Sequence, residues 1–293
     1  MTSSLHVSMR PFFASLFLLS RVCVAIIVVV AGTPLLAAAE REWEVSLEPT
    51  QGILSSRFLV WTSSESIPSA VLVLCPGQNG DGAEFLAGRE WKEFAVRHNL
   101  AIMVPHFVSN DGDLLAGKGY FRAELGSGHL LRLALKKCGW DNVPLLFYGF
   151  SGGAHFAMSF AAWQPERVLA FCAYSFAWWS PPPASLTCPA LIVCGQADGV
   201  RYGSAFSYFQ AGKREGKPWA WVSLEGQGHT PSVGLQSFVR DYFACVLKSS
   251  IREEVVVDNT TGNLLKDSPC DAITTSILPC GELHDPWRRI HHP

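Results

Sequence analysis

The sequence predicts an α/β fold, in which a mostly parallel sheet carries helices on both faces. Strand-like and helix-like segments alternate between residues 40 and 250, which is typical of chains that build parallel sheets. Several strand-like segments, such as 70–75 and 190–194, are apolar throughout, as expected of strands buried on both faces. The alternation contains no internal repeat, so we expect one continuous domain.

The first 39 residues have the features of an export signal. An almost wholly apolar run at 22–31 is followed by small residues that end at Ala39, the order typical of a cleavable signal. The alternative is an uncleaved membrane anchor. Arg21 and the Gly-Thr-Pro at 32–34 shorten the apolar stretch below the roughly 20 residues that a span needs. We therefore predict cleavage after Ala39, no membrane span afterwards, and an exported protein, periplasmic or secreted.

The rest of the chain divides into a main domain at 40–250 and a C-terminal extension at 251–293. The main domain has the length of one α/β domain with a sizeable core. In the extension, an apolar stretch at 254–257 and turn-forming residues at 258–263 indicate a small hairpin. The net charge is −2 and no basic cluster stands out, which argues against nucleic acid as a partner.

A Gly-x-Ser-x-Gly motif, formed by Gly149, Ser151 and Gly153, joins an apolar strand to a helical segment. A strand, a tight turn with serine at its apex and a helix make up a nucleophile elbow. Side chains at Gly149 and Gly153 would collide across this turn, and the strained serine backbone would expose the hydroxyl. We therefore predict that Ser151 is a nucleophile. An ordinary strand-to-helix turn is the alternative for the motif taken by itself.

Two later strand ends carry an acid and a base. Asp198 comes four residues after the strand at 190–194, and His229 follows the strand at 219–224 in a Gly-x-Gly-His turn. Functional sites of open α/β sheets lie beyond the carboxyl ends of the strands, so we expect these side chains to meet Ser151. His229 would then activate the serine, and Asp198 would fix the tautomer of the imidazole.

Each of these residues has a simpler interpretation when it is taken alone. Asp198 would then form a turn or cap the following helix, and His229 would be a surface residue. Asp141 and Asp241 are weaker candidates for the acid, because Asp141 precedes the serine and Asp241 lies within the last helix. The order nucleophile, acid, base along the chain favours Asp198 and His229.

An oxyanion hole needs two hydrogen-bond donors beside the serine. The main-chain N–H of Gly152, at the start of the helix, is the first predicted donor. The second comes from the loop after the strand at 70–75, and we predict the main-chain N–H of Gln78. A plain helix-entry turn is the alternative for the loop at 76–82.

With these motifs the chain resembles the α/β-hydrolase family, and within it exported esterases of the polyhydroxybutyrate depolymerase, feruloyl esterase and dienelactone hydrolase group. The resemblance rests on residues 149–154, 195–198 and 226–229 and covers about 71–247. It implies a Ser-Asp-His acyl-transfer mechanism without cofactor. The loop that begins Cys-Pro-Gly at 75–77 departs from the family, since many members have a His-Gly pair there.

The connection at 175–189 is too short for a helical cap domain, so we predict an open cleft. Its aromatic residues Phe176, Trp178 and Trp179 are candidates for a wall that binds an acyl or aryl group. Packing against the sheet edge is the alternative. His106, which follows a strand end, is a further candidate for the pocket, and a loop folded over the domain is the alternative there.

The cysteines and the remaining histidines are expected to have structural roles and not catalytic ones. Free thiols in apolar strands, such as Cys75, behave as small hydrophobic groups. Cys270 and Cys280 lie in the loop-like tail of an exported protein, which makes a disulfide between them plausible. His155 is expected to pack beneath the elbow. No cysteine pair has zinc-site spacing, and no metal site is predicted; weak candidates for metal ligands are His284, His291 and His292.

The favoured function is therefore an exported serine hydrolase that cleaves small or polymeric carboxylic esters. An amide or peptide bond hydrolase with the same triad is the first alternative, because one fold hosts many activities. The second alternative is a non-catalytic binding protein that keeps the fold. Turnover of an ester against the matching amide separates the first two, and reaction with a serine-directed probe separates both from the third.

Overall fold

The computed structural model describes residues 40–50, 52–116, 118–248, 253–265 and 272–291. The predicted signal at 1–39 and Cys270 lie outside this part of the chain.

An eight-stranded sheet forms the centre of the molecule, in the order β1-β2-β4-β3-β5-β6-β7-β8. Its strands are β1 (Arg41–Leu47), β2 (Ser55–Thr62), β3 (Ala70–Cys75), β4 (Leu100–Val108), β5 (Leu145–Phe150), β6 (Val168–Tyr174), β7 (Ala190–Gly195) and β8 (Trp219–Leu224). β1 and β2 pair antiparallel at one end, and the strands from β4 to β8 pair parallel. The predicted α/β fold with a mostly parallel sheet is confirmed.

Helices cover both faces of this sheet. They are α1 (Ala83–Ala87), α2 (Glu90–Arg97), α3 (Asp111–Leu115), α4 (Ser127–Lys137), α5 (Gly152–Trp163), α6 (Val200–Arg214), α7 (Val233–Lys248) and α8 (His284–His291). Buried residues of α4, α5 and α6 form one apolar layer with the sheet, and those of α1, α2, α7 and α8 form the other. None of the helices in the described part of the chain is long and apolar enough to cross a membrane.

Strand β5 shows why apolar sequence becomes a buried central strand. Successive side chains point to opposite faces of a sheet. Phe147 therefore packs in the layer of α5, while Leu146 and Tyr148 pack in the layer of α7, and all three are fully buried. Burial of each such side chain contributes about 1.5–3 kcal/mol. β5 is thereby fixed at the centre of the sheet, with its carboxyl end at Phe150.

The C-terminal extension packs beside the last strand of the sheet. It contains the strands β9 (Val255–Asp258), β10 (Leu264–Leu265) and β11 (Thr275–Leu278), followed by α8. Ser276 Oγ accepts a hydrogen bond from Trp221 N at 2.7 Å, and Trp287 Nε1 donates to Trp221 O at 2.8 Å. These side chains pair main-chain groups of an edge strand, which would otherwise be open to another chain.

A disulfide joins the extension to the main domain, but it is not the predicted one. Cys280 is bonded to Cys245 on α7, 35 residues earlier. The expected Cys270–Cys280 pair is therefore wrong. That pair was expected from closeness in sequence, whereas the extension folds back across the carboxyl end of α7 and brings Cys280 next to a residue of the helix face.

Candidate active site

Ser151 lies in the turn between β5 and α5. Its φ of 52° and ψ of −115° fall in a region that residues with a side chain rarely adopt. The Ser151 N–H donates to Tyr174 O on the neighbouring strand at 2.8 Å, which holds the strained turn in place. Such strain concentrates at functional sites, and here it leaves the serine side chain partly exposed.

The two outer glycines of the motif, Gly149 and Gly153, lie so close to neighbouring main-chain atoms that neither position has room for a side chain. A Cβ on Gly149 would collide with the main-chain carbonyl of Gly153, and a Cβ on Gly153 would collide with the carbonyl oxygen of Cys75 at the end of β3. Glycine is the residue that permits such contacts between backbones. The turn is therefore packed against both its own helix and the adjacent strand.

Ser151, His229 and Asp198 form a continuous chain of hydrogen bonds. Ser151 Oγ lies 2.9 Å from His229 Nε2, and His229 Nδ1 lies 2.9 Å from Asp198 Oδ2. Because Nδ1 faces a carboxylate, this nitrogen carries the proton and Nε2 accepts from the serine hydroxyl. The ring of Phe150 packs 5.0 Å from the imidazole. The arrangement has the geometry of a nucleophile with a base that a third group orients.

The loops that carry the acid and the base are joined directly. Ala197 N donates to Gln227 O at 3.0 Å, and a Cβ on Gly195 would collide with the same carbonyl. The Asp198 side chain is 2% exposed, and its second oxygen lies 3.5 Å from Arg201 Nη1. The buried carboxylate therefore has a cation on one oxygen and the imidazole on the other.

The main-chain N–H groups of Gln78 and Gly152 are neighbours. A Cβ on Gly152 would lie 2.9 Å from Gln78 N, and a Cβ on Gly77 would lie 3.9 Å from Ser151 Cβ. Gly152 is the first residue of α5, where N–H groups have no partner within the helix. Both groups predicted as oxyanion donors therefore lie beside the serine.

The loop that carries Gln78 is braced from β4 and the segment after it. The side-chain amide of Asn79 accepts a hydrogen bond from Ser109 N at 3.1 Å and donates one to Ser109 O at 3.2 Å. His106 Nδ1 lies 3.0 Å from Gly80 O. His106, which the sequence suggested for the pocket, thus contacts this loop.

Tyr120 is a residue of the site that the sequence did not indicate. Its hydroxyl accepts a hydrogen bond from Asn79 N at 3.2 Å, and its ring stacks on Phe107 at 5.6 Å. It follows a polar, Gly-rich stretch without a motif. Its place depends on how the segment after β4 returns to the sheet, so no local pattern could have identified it.

His155 lies one helical turn after Ser151, in the position expected from the sequence. Its ring stacks between Phe121 at 4.8 Å and Trp178 at 4.2 Å, and Nε2 accepts from Ala177 N at 3.4 Å. Burial, together with the charge of Arg201, lowers the pKa of His155 to about 3. The imidazole is therefore neutral at physiological pH and acts as a packing group.

A cavity of about 310 Å³ lies beside α5. Its aromatic lining residues are His155, Trp163, Trp178, Trp179 and Tyr208. Charged groups are also present, because Arg122 and Glu124 line the same cavity. The 175–189 connection that contributes the two neighbouring tryptophans contains no helix, so this connection itself forms no helical cap.

Phe176, the third aromatic candidate in that connection, is fully buried. Its ring contacts His155 at 6.1 Å and Tyr208 at 5.6 Å. It therefore offers no exposed surface to a substrate and supports the residues around the cavity. This position corresponds to the packing alternative that the sequence left open.

The C-terminal histidines contact main-chain atoms. His284 Nε2 lies 2.8 Å from Gly262 O, and His291 lies 2.9 Å from both Ser223 N and Asn259 O. His292 lies outside the described residues.

Sequence comparison and structural comparison give different results. No protein-family model matches the sequence, and no curated protein matches it. Solved structures do match. A ferulic acid esterase aligns with a TM-score of 0.53 and 14% identity, over 71% of this chain and 97% of its own. The Staphylococcus aureus fluorophosphonate-binding serine hydrolase FphF aligns with a TM-score of 0.51 and 13% identity, over 71% and 99%.

An esterase from Pyrobaculum calidifontis aligns with a TM-score of 0.53 and 14% identity, over 71% of this chain and 85% of its own. This chain has the α/β-hydrolase fold. At such low identity the likeness extends to the fold alone. The chemistry is therefore inferred from the geometry around Ser151.

Proposed function

We propose that the protein is an exported serine hydrolase that cleaves carboxylic esters through an acyl-enzyme intermediate. The observation that carries the proposal is the hydrogen-bonded chain from Ser151 through His229 to Asp198, with 2.9 Å at each contact. The strained elbow that presents the serine supports it. Esterases and serine hydrolases among the structures of the same fold support it further.

The geometry supports an acyl transfer in two steps. Ser151 Oγ attacks the ester carbonyl carbon while His229 Nε2 takes the hydroxyl proton, and Asp198 stabilises the imidazolium. His229 then gives that proton to the departing alkoxide, which leaves acyl-Ser151 and an alcohol. Water then gives a proton to His229 and attacks the acyl carbon. The bond between the acyl carbon and Ser151 Oγ breaks, the carboxylic acid leaves, and Oγ takes the proton from His229.

The oxyanion of each tetrahedral intermediate would accept hydrogen bonds from the N–H groups of Gly152 and Gln78. Pre-oriented donors of this kind stabilise charge that develops only in the transition state. Loss of one typically lowers the rate by about 10²–10³-fold. No cofactor or metal ion is required in this scheme, and every proton is carried by His229.

Trp178 and Trp179 are our proposal for contacts with the acyl or aryl part of the substrate. Both line the cavity beside α5, whose lining includes His155 but neither Ser151 nor His229. Trp178 stacks on His155, which lies one helical turn after Ser151. Trp178→Ala should raise KM for esters with an aromatic acyl group more than for acetyl esters of the same alcohol. Trp43→Ala, a change on the outermost strand, serves as the control. Equal KM values for Trp178→Ala and wild type would contradict this role.

Export is proposed from the signal-like segment at 1–39, and the Cys245–Cys280 bond agrees with an oxidising compartment. N-terminal sequencing of protein recovered outside the cytoplasm should begin at Glu40. A chain that retains Met1 in the membrane fraction would favour an uncleaved anchor.

Ester specificity is tested with matched p-nitrophenyl esters and p-nitroanilides of acetate and butyrate. The proposal predicts a higher kcat/KM for each ester than for the matching anilide, with both activities lost in Ser151→Ala. Faster anilide turnover would indicate an amide hydrolase instead. Failure of the folded protein to turn over either series would overturn the hydrolase proposal.

A further inference from the structure

The phenol of Tyr120 lies beside Gly152 and Gln78, the two residues whose N–H groups are the proposed oxyanion donors. Tyr120 Oη is 2.6 Å from the point that a Cβ on Gly152 would occupy, and Gln78 N is 2.9 Å from the same point. The ring is 4% exposed and is fixed by its stack on Phe107 and its edge contact with Phe121. The hydroxyl therefore has a defined position beside the first residue of α5.

The hydrogen bonds of this hydroxyl leave its proton available. Asn79 N donates to Oη at 3.2 Å, so the oxygen already acts as an acceptor. Among the residues that the structure describes, none accepts the phenol proton. A buried O–H without an acceptor is costly, and the cost is removed when a charged acceptor enters the hole. Burial also raises the pKa of Tyr120, so the phenol keeps its proton at neutral and moderately alkaline pH.

Gly152, the residue after the serine, fits the same interpretation. The nearest obstacles to a side chain at Gly152 are Tyr120 Oη and the main chain of Gln78, whereas Gly153 is required by the carbonyl of Cys75. Glycine at 152 thus makes room for a hydroxyl beside the two N–H groups.

We propose that the Tyr120 O–H is a third hydrogen-bond donor to the oxyanion, an inference that rests on the proposed ester hydrolysis. When Ser151 Oγ bonds to the acyl carbon, the carbonyl π electrons move to oxygen. That oxygen accepts hydrogen bonds from the N–H groups of Gly152 and Gln78 and from the phenol. The phenol keeps its proton throughout, and the electrons return to the carbonyl when the leaving group departs.

The test replaces Tyr120 with phenylalanine, 3-fluorotyrosine and 3,5-difluorotyrosine. A more acidic phenol is a stronger donor and a weaker acceptor. If Tyr120 donates to the oxyanion, kcat for p-nitrophenyl butyrate at pH 7 rises from tyrosine to the difluoro form, and Tyr120→Phe loses about 10²–10³-fold. If the hydroxyl only receives the Asn79 N–H, kcat stays level or falls along the fluorinated series, and the proposal is overturned.

A tetrahedral analogue provides a second readout. Binding of a trifluoromethyl ketone, which forms an oxyanion on Ser151, should weaken in Tyr120→Phe by the same factor as kcat/KM, with little change in KM for the ester. Unequal factors would overturn the donor role.

The same substitutions at Tyr242 provide the control, because this tyrosine is buried on α7, outside the proposed hole and the proposed catalytic loops; kcat should not change there. Fluorophosphonate labelling of every variant separates the two proposals. A wild-type protein that neither labels nor turns over ester contradicts the proposed function. Normal labelling and turnover with a level fluorinated series contradicts only the role of Tyr120.

Discussion

The main-chain N–H of Ser223 donates a hydrogen bond of 2.9 Å to Nδ1 of His291, 68 residues further along the chain. Ser223 Oγ also contacts Tyr202 Oη and Gln196 Nε2, each at 3.1 Å. Ser223 lies near the end of β8, just before the loop of His229, and Gln196 lies in the loop of Asp198. The C-terminal helix is therefore connected to the supports of both proposed catalytic loops.

Trp287→Ala should lower the free energy of unfolding by about 3–5 kcal/mol. The indole is fully buried and its Nε1 donates to Trp221 O at 2.8 Å, so truncation leaves a cavity beside β8. Urea unfolding measures the change. Arg288→Ala, an exposed change on the same helix, should stay within about 0.5 kcal/mol of wild type. Equal stability of both variants would show that α8 does not support the domain.

Removal of the Cys245–Cys280 bond should lower stability by about 3–4 kcal/mol, the chain-entropy value for a loop of this size. The double variant Cys245→Ser, Cys280→Ser removes the bond without leaving a reactive thiol. Thermal unfolding of this variant should occur at a lower temperature than in the wild type, and added reductant should change only the wild type. Cys138→Ser, at a half-buried free cysteine, should behave like the wild type under both conditions.

His155 should make the protein less stable in acid. Its folded pKa of about 3 lies below the unfolded value, which is near 6.5. The unfolded chain therefore binds more protons between these values, and stability falls as pH falls through that window. Between pH 6.5 and 5 the loss is about 2 kcal/mol.

Urea unfolding at both pH values measures this effect. His155→Phe, which keeps an aromatic ring in the stack, should remove most of that slope. His129→Phe changes an exposed histidine and should keep it. An unchanged slope in His155→Phe would show that other groups cause the loss of stability between pH 6.5 and 5.

Asp198→Asn should lower kcat by about 10⁴-fold while the protein stays folded. An amide cannot hold the proton on His229 Nδ1 as a carboxylate does, so the wrong tautomer forms. The matched controls are Asp141→Asn and Asp241→Asn, the other acids that the sequence offered, and both should keep wild-type kcat. A large loss in either control and not in Asp198→Asn would reassign the acid.

Local patterns in the sequence were enough for the sheet and for the elbow. Apolar runs such as Leu145–Phe150 encode burial on both faces, and Gly149 and Gly153 encode close contacts within a few residues of Ser151. Asp198 and His229 could be placed beside Ser151 because strand ends of a parallel sheet meet at one edge, which is a consequence of topology and not of spacing.

Contacts that depend on the path of irregular segments could not be found in this way. Tyr120 reaches the Gln78 loop because the chain after β4 folds back, and no motif records that path. Cys280 meets Cys245 because the extension crosses α7, whereas the sequence suggested its neighbour Cys270. The tail was expected to be a loop, because a helix as short as α8 spans too few turns to produce a clear periodic pattern.

Labelling of the protein with a fluorophosphonate probe bears most directly on the role of Ser151. A serine activated by His229 should react covalently at Ser151, as tryptic mass mapping would show, and labelling should be lost in both Ser151→Ala and His229→Ala. The kcat for ester turnover should fall with it, by about 10⁶-fold in Ser151→Ala. A folded wild-type protein that does not label, or labelling that persists in Ser151→Ala, would contradict the assignment of Ser151 as the nucleophile.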